Sequence, residues 1–143
     1  MSNLKTQSYD NHMKFAPLYH FILAPLSIIL FIASIVHLFQ EDYRFSAVLL
    51  TGISLCIVIL AVLVRQFATK LQDRSILHEE NFRHFHLTGK PLDSRLTLQQ
   101  IIALRFAEDA SFPELCLKAA ETGMEPAKIK KSITHWRADH HRV

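Results

Sequence analysis

The sequence predicts an all-α protein, built as a transmembrane helical hairpin followed by a cytoplasmic helical extension and a small three-helix bundle. The main evidence is two apolar runs, 18–39 and 45–64, which contain no Lys, Arg, Asp or Glu. At 1.5 Å per helical residue, each run is long enough to cross a bilayer core of about 30 Å. The chain also has only 3 Gly among 143 residues, which argues against an all-β fold with many tight turns.

The two runs are expected to form an antiparallel hairpin, because only residues 40–44 separate them. The first run is too long for the apolar region of a signal peptide, so we interpret it as a retained anchor. Cytoplasmic flanks of membrane spans carry an excess of Lys and Arg. The basic residues near the two ends of the hairpin are Lys5, Lys14, Arg65, Lys70, Arg74 and Arg83. Both termini are therefore predicted to be cytoplasmic. Within the second run, Gly52 and Cys56 have the small-xxx-small spacing that permits close helix packing.

Four regions follow from this pattern: an interfacial N-terminal segment (1–17), the hairpin (18–64), a juxtamembrane helix (65–88) and a cytoplasmic three-helix domain (89–143). The rough amphipathic face of the juxtamembrane helix consists of Phe67, Leu71, Leu77, Phe82 and Phe85. Two i,i+4 pairs, Glu79–Arg83 and Glu80–His84, favour a helix there. We expect this helix either to continue the second span or to bend and lie on the membrane surface. Turn-forming residues at 88–91 end it.

The last region is predicted to form three short helices. Thr97 and Gln100 have the spacing of a capping box before the first helix, and Ser111 and Glu114 have it before the second. One face of the second helix is apolar and consists of Phe112, Leu115, Cys116, Ala119 and Ala120. Gly123 is a natural C-cap for that helix. The third helix is predicted to begin at Pro126 and to bury Ile129, Ile133 and Trp136.

The sequence contains no nucleophile motif, no Gly-rich phosphate loop and no Cys-x-x-Cys or His-Glu-x-x-His pattern. We therefore expect no enzymatic activity and no cofactor. His135 and Asp139 are an i,i+4 pair within a C-terminal cluster that also contains His140 and His141. Such a step could chelate a metal, but metal sites need three or four fixed ligands. The cluster is interpreted as the solvated end of a helix.

Basic residues are concentrated near the C-terminus. Lys128, Lys130 and Lys131 could contact anionic lipid head groups, each contributing about 1 kcal/mol near the membrane surface. Residues 115–133 also have some features of a helix-turn-helix, with Gly123 in the turn. The first residues of the would-be reading helix, at 125–127, are poor readers of bases. No nucleic-acid partner is therefore expected.

Sequence motifs occur near both ends of the chain. The N-terminal motif is Gln7-x-Tyr9-x-Asn11-His12-x-x-Phe15-x-Pro17-x-x-His20. The C-terminal motif comprises residues 101–107, Phe112-Pro113-Glu114-Leu115, Ile129-Lys130-Lys131 and Trp136-Arg137-x-Asp139-x-x-Arg142-Val143. In these residues the chain resembles a family of small bacterial two-span membrane proteins of unknown function. The resemblance implies a bacterial inner-membrane location and a two-span layout, and it implies no activity.

The candidate structural or interaction residues are Arg105, Trp136, Arg137, Asp139, Arg142, His12 and His20. Arg105 lies in an apolar helix, so it needs a partner. Asp139 is the expected one, in an ion pair that locks the C-terminal bundle. The expected role is a non-enzymatic, membrane-anchored interaction or structural module that contacts the lipid bilayer and self-associates. A membrane-tethered helix-turn-helix-like regulator and a metal- or anionic-lipid-responsive protein are the alternatives.

Overall fold

The computed structural model describes residues 9, 16–40 and 44–138. The elements are a π-helical segment (Leu18–Leu23), α1 (Ala24–Gln40), α2 (Arg44–Thr88), α3 (Leu98–Leu104), α4 (Phe112–Thr122) and α5 (Pro126–Ser132). No strand occurs in these described ranges, and the all-α prediction is therefore confirmed. The chain divides within α2, between Thr69 and Lys70, into two compact units.

The first unit comprises the described residues up to Thr69 that belong to the apolar helices, and the second unit begins at Lys70. Residues 18–40 and helix α2 are both long and apolar enough to cross a membrane. Helix α2 is a single uninterrupted helix from Arg44 to Thr88. The connection between the two helices is shorter than the predicted residues 40–44, because Gln40 still belongs to α1 and Arg44 already belongs to α2.

Helices α1 and α2 contact each other through small residues. The Ser34 and Ser54 hydroxyls lie 2.8 Å apart across the two helices, and the Thr51 hydroxyl donates to the Ser34 carbonyl at 3.2 Å. Nearer the start of the first apolar run, the Tyr19 hydroxyl donates to the Ala61 carbonyl at 3.4 Å. Earlier residues of the first run therefore meet later residues of α2, so the two helices are antiparallel.

Within the first unit, the buried residues of the two helices repeat at intervals of seven. They are Ser27 and Ser34 on α1, and Ala47, Ser54 and Ala61 on α2. A seven-residue repeat keeps one face of a helix turned towards its neighbour, and small residues allow the backbones to come close. The pair Gly52 and Cys56 does not belong to this face, because both residues are exposed. Their small-xxx-small spacing therefore does not mediate the contact between α1 and α2.

A π-helical segment precedes α1. At its end the Ala24 N–H donates to the Tyr19 carbonyl, five residues earlier. Pro25 follows directly and has no backbone N–H to donate. The regular i→i−4 ladder is therefore interrupted at this point.

The second unit packs α2 from residue 70 onward with α3, α4 and α5. Its core consists of Leu96, Ile101, Ala103, Leu104, Phe106, Ala107, Phe112, Cys116, Ala119, Ala120, Ile129 and Ile133. The apolar face predicted for α4 is confirmed, with Leu115 only partly buried. Gly123 ends α4 with a φ of 61°, a left-handed conformation that glycine adopts without steric cost.

Only one of the two predicted capping boxes forms. The Thr97 hydroxyl accepts from the Gln100 N–H, and the Gln100 side chain accepts from the Thr97 N–H. Ser111 makes no such bond, because its backbone is already helical and its hydroxyl donates to the Glu108 carbonyl at 3.4 Å. The Ser111–Glu114 capping box was therefore a wrong prediction.

Two of the short helices end earlier than the apolar pattern suggests. Helix α3 stops at Leu104 and α5 stops at Ser132, so the core residues Phe106 and Ile133 lie outside helices. Beyond α5 the chain bends at residues 134–135 and is then extended. Trp136 forms an isolated antiparallel bridge with Ala107, and the Arg137 N–H donates to the Phe106 carbonyl at 2.8 Å. Trp136 therefore joins the core from an extended segment and not from the last helix.

Candidate functional site

Arg83 is the centre of a polar cluster in the second unit. Its Nη1 donates to Glu80 Oε2 at 2.9 Å, its Nε donates to Asp109 Oδ1 at 2.7 Å, and its Nη2 donates to the Ala107 carbonyl at 2.6 Å. The guanidinium carbon also lies 4.1 Å from the centre of the Phe112 ring. The planar fork of an arginine can satisfy several acceptors in this way, which lysine cannot. Arg83 therefore ties α2 to the segment between α3 and α4.

Glu80 lies one helical turn before Arg83 and is 5% exposed. Its second oxygen, Oε1, is 3.6 Å from Nη1 of Arg137. One buried carboxylate thus faces two arginines, one from its own helix and one from the extended C-terminal segment. We call Glu80, Arg83, Asp109 and Arg137 the Arg83 cluster. The contacts of this cluster join three separate segments of the second unit: α2, the segment between α3 and α4, and the segment after α5.

Burial and charge act on Glu80 in opposite directions. Desolvation raises the pKa of Glu80 above its ordinary value, and the neighbouring Arg83 and Arg137 oppose that rise without cancelling it. The folded state therefore binds a proton at Glu80 more tightly than the unfolded state does. Through linkage, Glu80 contributes to the free energy of unfolding at low pH. This contribution falls as the pH rises from the ordinary pKa of a glutamate to the raised pKa of Glu80.

This sign gives a measurable prediction for the Glu80→Gln variant, which has no carboxyl to titrate. We expect the melting temperature of the wild type, relative to that of the variant, to fall as the pH rises from about 4.5 toward neutrality. Thermal melts of the full-length protein in detergent at several pH values measure the difference. A relative melting temperature that rises with pH would mean that the two arginines outweigh burial and lower the pKa of Glu80.

Three of the residues predicted from the sequence lie near one another. Arg105 is buried at the end of α3, and its guanidinium carbon is 4.6 Å from the centre of the Phe106 ring. Trp136 packs against the same ring, with the two ring centres 4.9 Å apart. Arg137 follows and reaches Glu80 of the Arg83 cluster. The aromatic ring of Phe106 thus contacts both Arg105 and Trp136.

The other predicted residues do not join this group. His20 lies in the first unit, where its Nδ1 is 3.0 Å from the Ala16 carbonyl and its ring meets the edge of Tyr19. His12, Asp139 and Arg142 lie outside the described residues. The ion pair between Arg105 and Asp139 therefore stays a prediction.

Sequence reasoning missed the pairing in the Arg83 cluster. The i,i+4 rule pairs Glu79 with Arg83, whereas the structure pairs Arg83 with Glu80 at i,i+3. Glu79 is exposed and accepts a hydrogen bond from the Ser75 hydroxyl at 3.0 Å. His84, the predicted partner of Glu80, places its Nδ1 2.8 Å from the Lys90 carbonyl. The sequence signal that could have found the cluster is the apolar residue Ile76, one turn before Glu80 on the same face of α2, which the structure buries.

Some of the described residues are potential metal ligands or nucleophiles. Among the described residues, no group of three His, Cys, Asp or Glu side chains could hold a metal ion. His135 places its Nδ1 3.3 Å from Glu108 Oε1. Its predicted partners at 139–141 lie outside the described ranges. Burial raises the pKa of the Cys116 thiol to about 12, so this thiol stays protonated and is a poor nucleophile.

The comparison with known families covers the entire chain. Residues 1–143 match a family described as a family of unknown function, DUF6526. The chain belongs to this family. No curated protein and no solved structure matches this chain. Membership in DUF6526 agrees with the resemblance to a family of unknown function, and it assigns no biochemical role.

Proposed function

We propose that this DUF6526 protein is an integral, multi-pass protein of the bacterial inner membrane with both termini in the cytoplasm. Its proposed role is a non-enzymatic, membrane-anchored interaction or structural module that self-associates. The observation that carries the proposal is the outward-facing apolar surface of the two long helices in the first unit. In the most apolar window of each helix, only 11% and 17% of the residues are buried.

The arrangement of side chains supports lipid as the solvent of these helices. Large apolar residues such as Ile29 and Leu60 are exposed, whereas the buried positions hold the small residues Ser34 and Ser54. In a soluble protein the core helix would bury its large apolar residues instead. Between membrane helices, small residues and cross-helix hydroxyl bonds form the contact, because lipid already solvates the large apolar side chains.

The packing of the second unit supports the structural role in this proposal. Its most buried carboxylate, Glu80, is held between two arginines. Its buried thiol, Cys116, is protonated. On the surface, Lys128 and Lys131 of α5 are exposed. We propose that they contact anionic lipid head groups, together with the half-buried Lys130. Glu80 and Cys116 are thus engaged in ion pairs and in core packing, respectively.

An arginine substitution distinguishes lipid from water around α2. Ile53 is 59% exposed. In water, an exposed Ile53→Arg substitution should change stability by no more than about 0.5 kcal/mol. At the centre of a membrane span, it should cost about 3 kcal/mol and reduce the amount of inserted protein sharply. Gln66→Arg, just beyond the apolar run, is the matched control and should leave the amount of protein unchanged.

The assay is carbonate extraction of bacterial membranes, with a reporter fused to the C-terminus. The proposal expects the wild type in the membrane pellet, a cytoplasmic reporter, and loss of Ile53→Arg but not of Gln66→Arg. Recovery of a monodisperse chain from detergent-free buffer would contradict the membrane assignment. A reporter outside the cytoplasm would contradict the topology.

A further inference from the structure

One face of α2 in the second unit carries large apolar side chains that no described residue covers. Leu71, Phe82 and Phe85 are 70%, 72% and 54% exposed, although each is a large hydrophobic residue. Ser75 and His78 lie between them on the same helix and are also exposed. We call Leu71, Ser75, His78, Phe82 and Phe85 the exposed stripe. Residues on the other side of α2, such as Ile76 and Glu80, pack within the second unit.

The spacing of the exposed stripe is that of a coiled coil. Its members follow one another at alternating intervals of four and three residues, which is the spacing of the a and d positions in a heptad repeat. In this register Leu71, His78 and Phe85 occupy d positions, while Ser75 and Phe82 occupy a positions. The stripe is therefore built to meet another helix along its length, and not at a single point.

The charges beside the stripe specify the partner and its direction. In the same register Arg74 is a g position and Glu79 is the e position five residues later, and both are exposed. In a parallel pair of identical helices, each g residue meets the e residue of the other chain. Arg74 of one copy would then face Glu79 of the second copy, twice per dimer. An antiparallel pair would bring like charges together instead.

The area of the stripe fits a pair that is held together by a common membrane. A fully buried phenylalanine covers about 150–250 Å², so the exposed parts of Leu71, Phe82 and Phe85 offer about 350–400 Å² per chain. Two such faces bury less than the roughly 1,000 Å² expected of an interface between freely diffusing proteins. Anchoring both copies in one membrane raises their effective concentration and aligns them in parallel. This step rests on the proposed membrane anchoring.

We propose that the exposed stripe pairs with the same stripe of a second copy, as a short parallel coiled coil. The two-fold axis runs along the pair, so each residue of the stripe meets its own counterpart. A second copy of this chain is thus the partner of α2 beyond the apolar run, and the Arg74–Glu79 pairs set the register.

Cysteine crosslinking in native membranes tests the pairing in the full-length chain. In a Cys56→Ser background, with the buried Cys116 retained, Ser75→Cys and His78→Cys should form disulfide-linked dimers on mild oxidation. Lys70→Cys is the matched control, because it is equally exposed but lies off the stripe, and it should stay monomeric. Equal crosslinking at all three positions would overturn the proposed interface.

Charge reversal tests the direction and register. Arg74→Glu alone and Glu79→Arg alone should each reduce the dimer, and the double variant Arg74→Glu/Glu79→Arg should restore it. Phe82→Glu should weaken dimerisation at least about tenfold, since it removes one buried phenylalanine from each side of the pair. Failure of the double variant to restore the dimer would contradict the parallel register.

The outcomes separate this inference from the proposed function. A protein that resists carbonate extraction but stays monomeric in the membrane overturns the pairing and leaves the membrane assignment intact. A dimer whose crosslinks avoid the stripe overturns the interface while self-association stands. Protection of the stripe by lipid vesicles without any dimer would show that a membrane surface covers it, and would also overturn the pairing.

Discussion

Replacing Arg83 by alanine is expected to destabilise the second unit by about 3–5 kcal/mol, because it leaves a buried carboxylate poorly compensated. Glu80 would retain only Arg137, at 3.6 Å. The Ala107 carbonyl and the Asp109 carboxylate would lose their donor as well. Since a small domain is stable by only about 5–15 kcal/mol, this single change should expose α3 and α4 to hydrogen exchange well below the melting temperature of the wild type.

Lys70→Ala is the matched control for this prediction. Lys70 lies on the same helix but is exposed and off the stripe, so its removal should change the stability of the fold by no more than about 0.5 kcal/mol. Arg83→Lys should give an intermediate loss, because a single ammonium cannot reach three acceptors at once. A second test is the double variant Glu80→Leu/Arg83→Met, which should recover part of the loss by removing both charges. Equal melting temperatures for Arg83→Ala and Lys70→Ala would contradict the role assigned to the cluster.

Replacing Phe106 by alanine should lower the free energy of unfolding of the second unit by about 3–5 kcal/mol. Phe106 is fully buried and lies beneath both Trp136 and Arg105. Trp136 is the single tryptophan of the chain, so its fluorescence reports directly on this contact. We expect the emission of Trp136 to shift to longer wavelength in the variant, as water reaches the indole, and the unfolding midpoint in denaturant to fall.

Leu117→Ala provides the comparison for the core substitution. Leu117 is 54% exposed on α4, so its truncation removes little buried surface and should leave the Trp136 emission unchanged. If Phe106→Ala retained the wild-type emission, the packing of Trp136 on Phe106 would not be the contact that holds the extended C-terminal segment in place.

Some parts of the second unit could be predicted from local sequence because the physics is local. The capping box of Thr97 and Gln100 involves only two residues within one turn, and the glycine at 123 is required by a left-handed backbone. The apolar face of α4 follows from the 3.6-residue period. By contrast, Ser111 has the same capping signal as Thr97, but the chain enters α4 from a helical turn and the Ser111 hydroxyl donates to the Glu108 carbonyl instead.

The candidate site could not be predicted to the same extent. Glu79 and Glu80 are both within one turn of Arg83, and local rules favour Glu79 at i,i+4. The choice of Glu80 depends on Asp109, Ala107 and Arg137, which approach from distant parts of the sequence. Likewise, helices α3 and α5 end where the chain must turn to bring Ala107 and Trp136 into register. Long-range packing outweighed the apolar periodicity in both cases.

The amino-acid sequence by itself determined that this DUF6526 chain is helical, with two uncharged runs long and apolar enough to cross a membrane, because hydrophobicity and helical period are properties of consecutive residues. Only the tertiary structure decided which carboxylate Arg83 binds, which small residues join α1 to α2, and which face of α2 is left uncovered. Those choices depend on which segments fold against one another, and burial makes one partner far more favourable than its neighbour in the sequence.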